Sequence, residues 1–205
     1  MITVTLIVIN IIIFIMEIAA GSQALNELIY IFGLVPAFIN ENTSLLGYYP
    51  VLTSIFLHGG WMHVIGNMWI LWLFGDNIED YMGSSRFLLF YLLCGMAAGL
   101  THYFINPGSE IPVVGASGAV AGVMGAYFLM FRHAKILTYI PPIFLFNLPA
   151  WIYLGFWALS QVYCGTADII SANSCGSIAF WAHIGGFAAG MFLYRAFLLE
   201  EPQST

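Results

Sequence analysis

The chain has 205 residues, 61% of them hydrophobic and only 7% charged, and its mean hydropathy is +0.91. Soluble domains carry about 25% charged residues, so this composition cannot cover a water-facing surface. Ten acids against four bases leave a net charge of −6, which excludes the clustered basic footprint of a nucleic-acid-binding protein.

In chain order, six segments approach the roughly 20 apolar residues that a spanning helix needs. The first runs from Ile2 to Ala20. No Lys or Arg precedes it and no clear cleavage site follows, so it is expected to be a retained helix rather than a signal peptide. No lipidation box stands at either end. Residues 21–51 form a long first loop in which Leu, Ile and Phe alternate with polar residues, expected to lie at the membrane interface with short in-plane helices. The second segment is Leu52 to Phe74 and the third Phe87 to Ile105. After a Pro/Gly loop at 106–114 comes the fourth, Ser117 to Phe131, which at 1.5 Å per residue is roughly 22 Å long. It is too short to cross hydrocarbon alone and is expected at the bundle centre, with one end in a water-filled cavity. The fifth covers Ile143 to Tyr163 with Pro149 inside it, and a small, polar loop at 164–177 leads to the sixth, Ile178 to Leu199. The expectation is an all-α membrane protein, a single six-helix domain over residues 1–205 with its core at about 50–199 and no separate soluble domain.

The four bases give the orientation. Arg86, Arg132, Lys135 and Arg195 all fall on one side of a six-span chain, the cytoplasmic side by the positive-inside rule. Both termini then face the cytoplasm and the loops 21–51, 106–114 and 164–177 face outward, with a bacterial inner (plasma) membrane as the expected location.

A polar group in the bilayer is expensive unless paired or hydrated, so such groups mark function. His63 and Asn67 on the second segment, Ser117 at the start of the fourth and His183 near the start of the sixth all fall in the outer half of the membrane. A serine hydroxyl needs a base within hydrogen-bond reach to act as a nucleophile. His183 is such a base, with an ordinary histidine pKa near 6.5 that leaves the ring mostly neutral at pH 7. The segments bearing these groups carry no Asp or Glu at that depth, which makes a Ser–His dyad the better reading. His63 and Asn67 are i and i+4 on one helix face and can converge on a developing oxyanion, joined by the backbone N–H of Ser117 in a first helical turn. Gly115 and Gly118 flank Ser117 without obstructing it, and Gly186 and Gly190 give the sixth helix a small-residue face for close packing against the fourth.

Gly115-Ala-Ser117-Gly118, Ala182-His183-Ile-Gly185-Gly186 and His58-x4-His63-x3-Asn67 together resemble the three signatures of rhomboid intramembrane proteases, over about residues 50 to 195. The resemblance implies Ser117 as nucleophile, His183 as general base, and His63 with Asn67 at the oxyanion. It implies single-span membrane proteins as substrates, cut near the outer face, with the fifth helix and the loop after it as gate and cap. Two positions depart from the family pattern. Tyr49 and Pro50 stand where many members carry Trp-Arg, and Ala121 stands where some bacterial members stack a Tyr on the catalytic His.

Other readings make different demands. An inactive relative that binds membrane clients would typically lack the Ser or the His. A channel would not call for a Gly-x-Ser-Gly turn paired with a histidine on another helix. A zinc protease would carry His-Glu-x-x-His, which is missing here. No metal or cofactor is expected, and the partners are transmembrane substrates and lipid, with the oligomeric state left open. Cys94 reads as inert, His58, His102 and His133 as structural or interfacial, and Cys164 and Cys175 as a disulfide pair if their side is oxidising.

Overall fold

The computed structural model describes residues 1–41, 45–140, 144–171, 175 and 178–199. Parts of the loops predicted at 21–51 and 164–177, the predicted start of the fifth segment at Ile143, and the chain end from residue 200 lie outside the described residues.

The chain is mostly helical. Helix α1 spans Ile2–Ala19, followed by α2 (Gly21–Phe32), α3 (Pro36–Glu41), a short α4 (Pro50–Thr53), α5 (Trp61–Met82), α6 (Ser84–Ile105) and α7 (Ser117–Met130). An antiparallel hairpin, β1 (Lys135–Ile140) with β2 (Phe144–Pro149), precedes α8 (Ala150–Ile170) and α9 (Phe180–Phe197).

Polarity is inverted relative to a soluble bundle. On α1 the buried positions Thr3, Leu6, Asn10, Phe14 and Glu17 recur at helical spacing, so three polar side chains face the interior. Val8, Ile12, Ile15 and Met16 face outward, as do Trp69 and Trp72 on α5, Phe156 on α8 and Phe192 on α9. Soluble monomers do not expose apolar surface on this scale, and a bilayer is the solvent that rewards it. By length and apolarity two of the described helices, Ile2–Ala19 and Ser84–Ile105, meet the requirement for a membrane span on their own.

Two of the interior polar residues of α1, Thr3 and Glu17, have partners outside the helix, while the Asn10 amide donates back to the Leu6 carbonyl at 2.8 Å. Glu79, near the end of α5, accepts the backbone N–H of Ile2 at 2.6 Å and of Thr3 at 2.8 Å, the Thr3 hydroxyl at 2.8 Å and the Ser84 hydroxyl at 2.6 Å. One carboxylate thereby caps the N-terminus of α1, where free N–H groups and the helix dipole favour negative charge. It also ties α1 to the α5–α6 turn. At the other end of α1, buried Glu17 accepts the backbone N–H of His58 at 3.3 Å.

Helix α7 is the axis of the bundle: Gly118 to Tyr127 are all buried, among α5, α6 and α9. Its 14 residues match the short central fourth helix expected. Contact with α9 is as close as backbones allow. A Cβ at Gly186 would run into the carbonyl of Gly118, and one at Gly190 into that of Gly122. Of the α7 glycines, Gly118 lies against Ala98 and Gly122 against Cys94 on α6, and Gly125 lies against the Phe187 carbonyl on α9.

Three expectations need correction. The segment predicted at Leu52–Phe74 is not one helix. Its first part is α4 and a 3-10 turn at Ser54–Phe56, the chain is extended at Leu57, and α5 begins only at Trp61 after Gly59-Gly60 and continues to Met82. Successive glycines break the helix, and the polar tail Asp76–Asp80 extends it past the apolar stretch. The bundle is not all-α, because residues 144–149 of the predicted fifth segment form β2, paired with β1. Pro149, which has no N–H for an interior helical position, stands just before α8 rather than inside it. Cys164 lies within α8, not in the loop after it.

The described part of the first loop carries the short helices α2, α3 and α4. Leu34 and Val113 exchange backbone hydrogen bonds at 3.0 and 2.8 Å, which fastens it to the 106–114 loop. Tyr49, at the departure from the family pattern, donates its hydroxyl to the Ile31 carbonyl at 2.6 Å and sets its ring edge-on to Phe32. This bond joins the turn before α4 to the end of α2.

Candidate active site

Ser117 is the first residue of α7, and Gly115 two residues earlier makes the turn that presents it. Gly115 has φ +126°, a conformation that side-chain-bearing residues rarely adopt, and its N–H donates to the Ser54 carbonyl at 2.9 Å. A Cβ at Gly115 would lie 2.6 Å from the His63 ring and 3.6 Å from the Asn67 amide nitrogen. Glycine is required there both for the turn and for the space that α5 occupies.

His183, in the first turn of α9, places Nε2 2.8 Å from Ser117 Oγ. Both residues are half-buried. The close α7–α9 contact creates this approach: with Gly186 and Gly190 against α7 carbonyls, the start of α9 lies beside the start of α7. The predicted pair is therefore brought together at hydrogen-bond distance, in a geometry in which the imidazole can take the hydroxyl proton.

His63 and Asn67 project from α5 onto the Gly115 turn, as their i, i+4 spacing predicts. Asn67 is buried and its amide nitrogen has no hydrogen-bond partner among the described residues. A buried, unpartnered donor beside the nucleophile is costly in a resting protein, and such donors are what an oxyanion requires. His58 is fully buried below this layer, its ring 5.2 Å from that of His63, and stays outside the pair. No group of three or more metal-binding side chains is found among the described residues.

Two residues that the sequence did not reveal complete the surroundings of His183. Gln161 on α8 places Oε1 2.7 Å from Nδ1, and Trp157, one turn earlier, packs at a tilt beside the imidazole with ring centroids 5.9 Å apart and planes at 33°. Their i, i+4 spacing on an apolar helix was the available signal, but nothing in the sequence says that α8 turns this face toward α9. Cys164, three residues beyond Gln161, is disulfide-bonded to Cys175. Cys94 is a free, buried cysteine on α6.

Fold and site together define a helical membrane protein with a serine–histidine pair at the head of a short central helix. The Rhomboid domain family matches residues 46–200, about three-quarters of the chain, and the chain belongs to that family. It is similar to Rhomboid protein 1, mitochondrial, of Saccharomyces cerevisiae, with 32% identity over 145 residues, covering 69% of this chain and 39% of that protein. It is similar to the Bacillus subtilis rhomboid protease GluP, with 35% identity over 116 residues, covering 55% of this chain and 21% of that protein. It is also 26% identical over 190 residues to the human presenilin-associated rhomboid-like protein, mitochondrial, covering 84% of this chain and 46% of that protein. The chain thus spans less than half the length of each of these relatives. Mitochondrial and bacterial proteins stand side by side among them, so the expectation of a bacterial inner membrane is not carried forward.

Proposed function

We propose that this chain is an intramembrane serine endopeptidase that hydrolyses peptide bonds of transmembrane proteins with a Ser117–His183 dyad. The observation that carries this reading is the 2.8 Å approach of His183 Nε2 to Ser117 Oγ, made by two helices that share no sequence neighbourhood. His183 takes the hydroxyl proton as Ser117 attacks the scissile carbonyl, and then passes it to the leaving amine. Water enters from the loop side to release the acyl-enzyme. Asn67, His63 and the Ser117 backbone N–H stabilise the oxyanion. The mechanism uses no metal or cofactor.

The reading treats residues 1–205 as one domain of six spans: α1, α5, α6, α7, α8 and α9. Both termini and the β1–β2 hairpin share the side that bears Arg86, Arg132, Lys135 and Arg195, and the site opens to the opposite side. The relatives' names support the class of reaction: one is called a rhomboid protease.

The test is cleavage of a single-span reporter protein in liposomes by the purified chain, beside Ser117→Ala and His183→Ala. The reading expects cleavage by the wild type and none above background by either variant; cleavage that survives both substitutions defeats the dyad.

A further inference from the structure

We infer that Gln161 is the positioning residue of His183: through a hydrogen-bond chain confined to α8 it fixes which ring nitrogen carries the proton. The inference rests on the Ser117–His183 pairing above. It follows from donors and acceptors alone. The Ser160 hydroxyl lies 2.6 Å from the Trp157 carbonyl, which can only accept, so the single Ser160 proton is committed there. Ser160 Oγ then offers only lone pairs to the Gln161 amide nitrogen 3.2 Å away, which donates to it. The Gln161 amide is thereby oriented with its oxygen toward His183. An amide oxygen has no proton, so at 2.7 Å Nδ1 must supply one. A neutral imidazole with hydrogen on Nδ1 leaves Nε2 bare, facing the Ser117 hydroxyl at 2.8 Å. The other tautomer would set two lone pairs against each other at Gln161.

Trp157 fixes the plane of the ring while Gln161 fixes its proton, and both act from one face of α8 at i, i+4. A neutral amide does here what an aspartate does in a soluble triad. It orients the ring without placing a charge in a low-dielectric interior, where a carboxylate is expensive. This accounts for a site without an acidic third member.

The experiment compares wild type, Gln161→Met and Gln161→Glu in proteoliposomes. The readouts are kcat and KM on the single-span reporter, the rate of Ser117 labelling by a fluorophosphonate, and the ring-nitrogen NMR shifts of His183. Met keeps the volume and removes the acceptor, leaving a buried donor unpaired. It is expected to lower kcat and the labelling rate roughly 10- to 100-fold with KM nearly unchanged. The His183 nitrogens should then report a mixture of tautomers. Glu restores an acceptor and should recover most of the lost labelling rate. Wild-type kcat and labelling in Gln161→Met, an undisturbed Nδ1–H tautomer in that variant, or a loss that Glu does not rescue would each overturn the inference. Should the wild type itself neither cleave nor label at Ser117, the dyad reading fails instead, and the NMR comparison still tests Gln161.

Discussion

At the scale of single residues, the site depends on a few positions that allow no substitution. Gly115 is the clearest. Alanine there would meet both an unfavourable φ of +126° and the His63 ring at 2.6 Å. Gly115→Ala is expected to abolish fluorophosphonate labelling of Ser117 and to lower the thermal midpoint, read by a dye-based melt in detergent. Asn67 makes the opposite kind of prediction. Its amide nitrogen has no partner among the described residues, so Asn67→Ala is expected to remove no ground-state hydrogen bond of that donor and to leave the melt nearly unchanged. Loss of an oxyanion donor should lower kcat by roughly 100- to 1,000-fold with KM little affected. An equal loss of stability and activity would make Asn67 a packing residue. Ser117, His183, His63 and Asn67 were legible in the sequence because polar side chains are rare in apolar segments and each stood at a countable depth. Gln161 and Trp157 were not, since their role depends on the rotation of α8 about its axis, which an almost uniformly apolar helix does not encode. Glu79 and Glu17 were missed for a related reason: their partners are backbone N–H groups at the start of α1 and in the link before α5, 77 and 41 residues away.

At the scale of elements, the α7–α9 contact determines the dyad distance. Gly190 sits on the carbonyl of Gly122, two turns beyond His183, so a larger residue there must push α9 away from α7. Gly190→Val is expected to abolish cleavage even though residue 190 lies far from Ser117, and restoration of glycine to restore it. Helix α8 is held differently, by packing on α9 and by the Cys164–Cys175 disulfide. The two cysteines are 11 positions apart, and closing a loop of that size stabilises a fold by about 2–3 kcal/mol in the chain-entropy account. Cys164→Ser should lower the midpoint of the non-reduced protein to that of the reduced wild type. A midpoint indifferent to both treatments would mean that α8 is held by packing alone. The glycine faces were readable from spacing. The break before α5 had a signal in Gly59-Gly60 that hydropathy passed over. The β1–β2 hairpin had none, because Val, Ile, Leu and Phe serve a buried helix and a strand equally well, and hydropathy alone cannot choose between them.

At the scale of the whole molecule, the inverted polarity of α1 and the outward Trp, Ile and Phe side chains require an apolar solvent, as composition already demanded. The proposed sidedness is separately testable. A single cysteine introduced as Thr138→Cys on the hairpin should react with an impermeant thiol reagent from the same side as the N-terminus and be protected from the other. In the proposed mechanism one serine, activated by one histidine on another helix, is the nucleophile of a membrane-embedded site. The most direct measurement is intact-mass and peptide mass spectrometry of the protein in liposomes after reaction with a fluorophosphonate. The account predicts a single adduct, on Ser117, formed by the wild type and absent from His183→Ala. An adduct on another residue, or undiminished labelling of Ser117 without His183, would contradict it.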